Sequence, residues 1–501
     1  MKFNLSGFFK KEYLLLYVIV LIGAFLRLQG IFTNSFAFTY DVGRDMLALW
    51  NIVYLHKIPL IGATTGLPGI FYGPWWYYLL TPFFIAVSGN PQGIAFVMSI
   101  IGVLSIIFGF ILGKEIGGKF LSFCLVLLIS FSPILISFSS QIWNPKIAPL
   151  FVIFVLLILS KIYYLDKKDK SKYYFLLGLL LAFNADLEIV FGMLLSIGII
   201  LSVIFTVKRK ISVKSVLYFI LGGLIILAPR IFFELRHQFL MIKSFISFFS
   251  NGNSLQGTST ILNTITSRLS VLFDQFNSTL SAENKFVGLF ILLFILITLL
   301  FLYRKADGLI KKFINTSVIV IFIFLLGTIF FNHDIWPHYL VGVPVFYILL
   351  FGISLHLLSK KLSNNLVPAL ILLIVVIINL NPVNLMQNLN KPMWEGDASV
   401  YRNQVAVIDY VYREAKGKEF KYVVYTPPLY DYTYQYLFMW YGPRIYHYSP
   451  SVQSNLAFFI LEPDLQYPSR LTDWLKSREK DGKIIKSETV KGGITVQTRT
   501  N

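Results

Sequence analysis

Residues 38–50 read FTYDVGRDMLALW, and five positions of that stretch hold Asp41, Arg44 and Asp45. On a helix Asp41 and Asp45 share a face, with Arg44 three residues from the first and adjacent to the second. These groups are suited to two tasks. A positioned carboxylate can take a proton from an attacking hydroxyl. A guanidinium offers a phosphate a two-pronged fork. The alternative is a juxtamembrane helix, about Asp41 to Tyr54, with a solvated charged face, and spacing alone does not separate the readings.

Other polar residues occur where apolar runs end. Arg27 lies in the last turns of the first run, where it either snorkels outward or lines a cavity. Asn144 follows Trp143 in SSQIWNPK. Asp186 and Glu188 fall in FNADLEIVFG, at a hairpin between two apolar runs. Arg230, Glu234, Arg236 and His237 occur in APRIFFELRHQF, and His333, Asp334, His338 and Tyr339 in FFNHDIWPHYL. Singly, each group reads equally well as an interfacial anchor. Their combined meaning depends on whether the chain brings them to one face.

The elements that must position them are membrane helices. The 501 residues are 56% hydrophobic, 17% aromatic and only 14% charged. Mean hydropathy is +0.69. Soluble domains carry about 25% charged residues. The net charge of +19 sits in short Lys and Arg clusters between apolar runs, so it reports membrane topology and not nucleic-acid binding. The single cysteine, Cys124, excludes a disulfide within the chain. The basic N-terminus, MKFNLSGFFKKEY, precedes about 19 apolar residues with no A-x-A-like site, which predicts a retained helix and not a cleaved signal.

Apolar runs of roughly 17 to 25 residues span a bilayer. Such runs lie near 13–31, 92–113, 120–138, 147–164, 173–187, 189–207, 214–231, 286–303, 313–331, 338–358 and 366–381. The aromatic stretch 71–89 contains Pro74 and Pro82 and is ambiguous. If it does not cross, the clusters Lys10/Lys11, Lys114/Lys119, Lys161–Lys172, Lys208–Lys214, Arg304–Lys312 and Lys360/Lys361 all fall on one, cytoplasmic, side. The charge rule therefore predicts about eleven spans and a re-entrant or interfacial 71–89. The loops 32–91, 139–146, 232–285 and 332–338 then share the outer face, and the ionisable residues named above surround a polar cavity there.

The chain divides at about 382. Residues 1–382 form the membrane domain and 383–501 a small extracytoplasmic α/β domain. The latter has a helical pattern at 399–416 and strand-like runs at 421–426, 457–461, 483–485 and 493–498.

TYDVGRD, GIFYGPWWYYLL, LAPRIFFELRHQF and HYLVGVPVFYIL, in that order, resemble segments of GT-C membrane glycosyltransferases. The closest group is the glycosyltransferase family 39-like proteins, which include protein O-mannosyltransferases and aminoarabinose transferases. The resemblance covers roughly residues 13 to 360. It implies a GT-C type polytopic α-helical fold, a sugar donor carried on polyprenyl phosphate, and action at the non-cytoplasmic face of the cell membrane. Asp41 matches the catalytic acid of the family's first external loop. The family often has a second acid in the next external loop. Here that turn offers only Asn144, which weighs against a divalent metal; if one binds, Asp41 is its ligand.

Under this resemblance Asp41 is the base, helped by Asp45, Arg44, Asn144, Asp186 and Glu188. The phosphate leaving group requires positive charge or N–H donors. Arg236 and His237 are first choice, with Arg44, Arg230 and Lys57 in reserve; His333, Asp334, His338 and Tyr339 are further candidates. Direct displacement inverts the anomeric centre. The 71–89 and 232–285 segments wall a groove for the prenyl chain. Membrane lipid is the other partner, the acceptor (protein, lipid or polysaccharide) is open, and nucleic acid is not expected. Rival readings are a flippase or transporter of lipid-linked sugars, an oligosaccharide polymerase or ligase, and a non-catalytic receptor. The spans are almost free of acids away from their outer ends, which favours the enzyme over the transporter.

Overall fold

The computed structural model describes residues 14–164, 169–207, 211–250, 261–331, 334–380 and 397–500. The first helix, α1 (Leu14–Phe32), leads through a short turn to α2 (Tyr40–Leu55). α2 buries Val42, Met46 and Leu49 along one side and carries Asp41 in its first turn, where the helix dipole favours a carboxylate. α3 (Trp75–Ala86) has 12 residues. At 1.5 Å per residue it is about 18 Å long, short of the ~30 Å hydrocarbon layer. The 71–89 segment thus forms a short helix, packed against α2.

α4 (Pro91–Gly117) starts at Asn90, whose side chain accepts from the Gln92 N–H. The span expected at 120–138 is instead two helices, α5 (Lys119–Phe131) and α6 (Pro133–Ser139), bent by 62°. Pro133 has no N–H and forces Ser132 into an extended conformation, which ends α5. The carbonyls released at the break accept from Arg27. Its guanidinium reaches Ile129 O at 2.8 Å, Ser130 O at 3.1 Å and Gly23 O at 2.9 Å. Arg27 is 1% exposed, so it does not snorkel. It closes a broken helix.

The remaining helices before the sheet domain are α7 (Ala148–Tyr164), α8 (Ser171–Leu187), α9 (Ile189–Thr206), α10 (Val213–Arg236), α11 (Leu240–Ser250), α12 (Ile261–Leu280), α13 (Lys285–Leu302), α14 (Gly308–Ile329), α15 (Val343–Leu362) and α16 (Leu366–Leu380). Among the described residues, eight segments are long and apolar enough to cross a membrane, or nine if α5 and α6 make one bent span. α8 and α16, also expected as spans, are shorter, at 17 and 15 residues. The 232–285 stretch expected as a loop contains α11 and α12.

The basic connections meet one another. Lys161 pairs with Glu115, Lys312 donates to Tyr163 O at 2.9 Å, and Lys170 donates to Ile162 O at 2.6 Å. Lys214 pairs with Asp169 at 2.6 Å, and Lys360 with Asp307 at 2.5 Å. These contacts gather the ends of α4, α7, α8, α10, α14 and α15 into one basic end of the bundle. The chain directions put the α8–α9 hairpin and the end of α10 at the opposite end.

A small sheet domain follows. Its elements are α17 (Tyr401–Ala415), β1 (Lys421–Tyr425), α18 (Tyr432–Tyr446), β2 (Leu456–Leu461), α19 (Pro468–Ser477), β3 (Lys483–Thr489) and β4 (Thr495–Thr500). The strand order is β1-β2-β4-β3. β1 and β2 are parallel, joined through α18, and the other pairs are antiparallel. The sequence signals mark α17 and all four strands but miss α18 and α19.

The sheet domain is docked, not pendant. Phe38 N–H donates to Ser399 O at 2.7 Å and Tyr401 N–H to Phe36 O at 3.1 Å. The Tyr436 hydroxyl donates to Gly89 O at 2.5 Å and Trp440 Nε1 to Ser88 O at 2.8 Å. One apolar cluster runs from Phe38, Met46 and Leu80 into Tyr434, Leu437 and Phe458.

Candidate active site

The two carboxylates of α2 have different surroundings. Asp45 is 1% exposed. Its oxygens accept from Trp76 Nε1 at 2.9 Å, the Tyr77 hydroxyl at 3.1 Å, and Arg44 Nε and Nη2 at 3.0 and 2.8 Å. These donors hold both carboxylate oxygens in place inside the protein. Arg44 extends from it to Asp41, with Nη1 to Oδ1 at 2.6 Å. The Asp41 side chain is 24% exposed. Burial raises its pKa above the ordinary carboxylate value, the Arg44 charge opposes that rise, and Asp45 adds to it. Asp41 therefore has one fixed cationic partner and one open side, as a proton acceptor needs.

The WWYY run of α3 supplies hydrogen-bond donors at this end of the bundle. Trp76 and Tyr77 hold Asp45. The Trp75 N–H donates to Asp186 Oδ2 at 3.1 Å, and Trp75 Nε1 to Ile226 O at 2.7 Å. The chain enters α3 tightly against Asp186. Gly73 N–H donates to Asp186 O at 3.1 Å, and a Cβ on Gly73 would lie 1.4 Å from Asp186 Oδ1. Only glycine fits there.

Asp186 also faces Arg230, with Oδ1 3.2 Å from Nη2. Arg230 follows Pro229 in α10, and its Nε and Nη2 have no hydrogen-bond acceptor. Glu188, between α8 and α9, is 1% exposed and lies 3.9 Å from His338 Nε2. The Tyr72 hydroxyl also faces Glu188. Burial, then the negative charge of Glu188, raise the Tyr72 pKa, and Asp41 contributes in the same sense. Tyr72 thus lies within the electrostatic reach of both acids. The His338 ring packs on Trp143 at 5.1 Å and on Tyr339 at 4.7 Å.

Two groups at this face had no role from the sequence. One is Tyr72. The other is Lys146, whose ammonium sits over the Phe138 ring at 4.0 Å and the Trp143 ring at 5.4 Å. Among the described residues no carboxylate neutralises it. The available signal was a lone cation in an outer turn otherwise poor in Lys and Arg.

Asn144 is buried, and its Nδ2 donates to Leu187 O, tying the turn before α7 to the end of α8. Arg236 and His237 are exposed at the end of α10, where His237 stacks on Phe233 at 4.1 Å. Neither lines the cleft that contains Asp41. Lys57 is exposed just past α2, and Asp334 is exposed between α14 and α15. Tyr339 is buried beside His338. His333 lies outside the described residues.

Two cavities adjoin these groups. A cleft of about 740 Å³ contains Asp41, Tyr40, Trp143 and Gln141 on one side and Gln404, Tyr430 and Glu462 of the sheet domain on the other. A narrower apolar groove of about 170 Å³ runs between residues 65–72, α9, Phe245 and Phe331, with Tyr72, Glu188 and Tyr339 at its polar end. Of the expected groove walls, 71–89 contributes Tyr72 and 232–285 contributes Phe245. Arg44 is shared by both acids, Asn144 is engaged elsewhere, and no three His, Cys, Asp or Glu converge among the described residues.

No protein-family model matches the chain, and no curated protein matches it by sequence. Solved structures do. ArnT from Cupriavidus metallidurans bound to undecaprenyl phosphate is 12% identical, with a TM-score of 0.57 over 97% of this chain and 98% of that one. Its apo state is 10% identical, with a TM-score of 0.54 over 90% of this chain and 97% of that one. At such identity the likeness is one of fold. The chain has the GT-C type of membrane fold that the sequence resemblance implied, with a small sheet domain at its C-terminus.

Proposed function

We propose that this protein is a glycosyltransferase that moves a sugar from a polyprenyl-phosphate carrier to an acceptor hydroxyl. The observation that carries the reading is the unequal treatment of the two α2 acids. Asp45 is saturated with donors, whereas Asp41 is oriented by Arg44 and opens into a large cleft. That arrangement suits a general base and does not follow from a merely structural charged face.

In this reading the prenyl chain lies along the apolar groove, and its phosphate sits near the groove's polar end. Arg230, already paired with Asp186, and Lys146, which among the described residues meets aromatic rings and no carboxylate, supply the positive charge. The acceptor hydroxyl enters through the cleft. Its proton passes to an Asp41 oxygen as its own oxygen bonds to the anomeric carbon. The bond from that carbon to the phosphate oxygen breaks, and polyprenyl phosphate leaves as the anion. Attack from the face opposite the phosphate inverts the anomeric centre. The transition state has oxocarbenium character, as in glycoside hydrolysis.

The gathering of basic loops at one end supports an integral cell-membrane protein with that end in the cytoplasm and the site outside. On this basis residues 1–382 are the catalytic membrane domain and 383–501 an outward domain. The fold likeness to ArnT, which was solved with undecaprenyl phosphate, agrees with a lipid-linked donor. The test is transfer by full-length protein in lipid from a panel of polyprenyl-phosphate sugars, with and without chelator. Transfer that collapses in Asp41→Asn is expected. Transfer that survives the substitution overturns the mechanism, and no consumption of any donor by folded protein overturns the function.

A further inference from the structure

The cleft beside Asp41 has a marked chemical bias. Among its lining residues are three carboxylates, Asp41, Asp397 and Glu462, and no Lys, Arg or His. With no basic group on it, such a wall offers no charge to hold an anionic ligand. Its buried amide oxygen also lacks a donor among the described residues. Gln404 is 2% exposed, its Oε1 accepts no hydrogen bond, and its Nε2 makes only a 3.4 Å contact with Glu462. An unsatisfied buried acceptor calls for a donor from a ligand.

A second cavity adjoins the cleft. Ala37 and Gln141 line the cleft and also line this second cavity of about 280 Å³, which reaches Gln29 and Asn379. Among the described residues, Gln29 Oε1 and Asn379 Oδ1 again have no partner. Among the described residues, three oxygens without donors in two adjoining cavities suit hydroxyl or N–H groups spaced along an extended ligand. Flat faces accompany them, since Tyr40 and Tyr430 stack at 6.0 Å at the mouth, where Tyr430 is 53% exposed.

We infer that this double cleft is the acceptor site and that the acceptor is an uncharged glycan chain. A sugar hydroxyl both donates and accepts, so it can satisfy carboxylates, amides and tyrosines alike. Its C–H faces pack against aromatic rings. A peptide brings a carbonyl with every N–H, and those carbonyls would face carboxylates. The sheet domain is then part of the acceptor site, because it contributes Gln404, Tyr430 and Glu462. This rests on the transferase reading above and adds the acceptor class to it.

The test is binding to full-length protein in nanodiscs, followed by calorimetry. The probes are neutral oligosaccharide ladders from dextran, mannan and chitin, an oligogalacturonate ladder of equal length, and a Ser/Thr-rich hexapeptide. At least one neutral ladder should bind about tenfold or more tighter than the galacturonate and the peptide, with affinity rising with length. Tyr430→Ala, at an exposed position that folding tolerates, should weaken it about tenfold. Failure of every neutral ladder, tighter binding of galacturonate or peptide, or unchanged binding in Tyr430→Ala overturns the inference. Donor consumption is measured separately. Donor consumed without glycan binding sinks this inference alone, and glycan bound without consumption of any donor sinks the transferase reading.

Discussion

Gly43 of α2 lies directly beneath the backbone of Thr433, at the start of α18; a Cβ on Gly43 would stand 2.4 Å from the Thr433 nitrogen. The glycine in TYDVGRD therefore lets the sheet domain settle onto the helix that carries Asp41. Replacing a helix-interior glycine by alanine ordinarily gains about 1 kcal/mol. Here Gly43→Ala should lose about 1–3 kcal/mol through overpacking against backbone. A lowered melting temperature and faster proteolysis near α18 are expected, and a stabilised variant would contradict the docking.

Asp41 and Asp45 should separate by phenotype. Asp41→Asn should keep the wild-type melting temperature and lose about 10²–10⁴-fold in transfer rate. Asp45→Ala leaves Arg44, Trp76 and Tyr77 without their shared acceptor, at a cost of about 3–5 kcal/mol of stability. Thermal unfolding and single-turnover transfer, measured on both variants, check the division. Equal loss of stability in both would make the pair a single structural unit.

Lys146 can be tested without orphaning a carboxylate. Lys146→Met should raise KM for the lipid-linked donor about 10–100-fold, the scale of one charge-assisted hydrogen bond. Arg236→Ala, at an exposed site, should change it within about fivefold, as exposed charge contacts do. The reverse order would return the phosphate site to the end of α10.

Glu462 gives the sheet domain a pH signature. Burial pushes its pKa from 4.5 up to about 7, against the pull of the Tyr434 and Gln404 hydrogen bonds. A raised acid pKa means that the fold prefers the protonated form. Its contribution is complete below pH 4.5 and declines until the pH exceeds about 7. Above that range the charged form costs about 3 kcal/mol. Glu462→Gln should therefore match wild type in melting temperature near pH 4.5 and exceed it at pH 8. Equal melting temperatures at both values would refute a buried, neutral-preferring Glu462.

Local signals in the sequence determined a good deal. The spacing of Asp41, Arg44 and Asp45 is a helical i, i+3, i+4 pattern, and it gave α2 and the Asp41–Arg44 contact before any packing was known. The positions of the Lys clusters argued against a full span at 71–89, because charge parity constrains every later span, and a helix of 12 residues forms there. Short strand-like runs rich in β-branched and aromatic residues gave all four strands of the sheet domain. α18 escaped because Tyr434, Tyr436, Leu437, Phe438 and Trp440 are buried on several sides, against the sheet and against residues 88–89, so no single apolar stripe marks it.

Tertiary structure decided which acid stays open. Nothing within TYDVGRD distinguishes Asp41 from Asp45; the donors that saturate Asp45 come from Trp76 and Tyr77, more than thirty positions on. Arg27 was legible as a costly cation in an apolar helix, but its acceptors are carbonyls freed about a hundred residues away by Pro133. The wall of the Asp41 cleft comes partly from residues near 404, 430 and 462. Sequence periodicity fixes which face of an element is polar. Which distant groups meet that face depends on long-range packing, and that packing separates the buried Asp45 from the open Asp41.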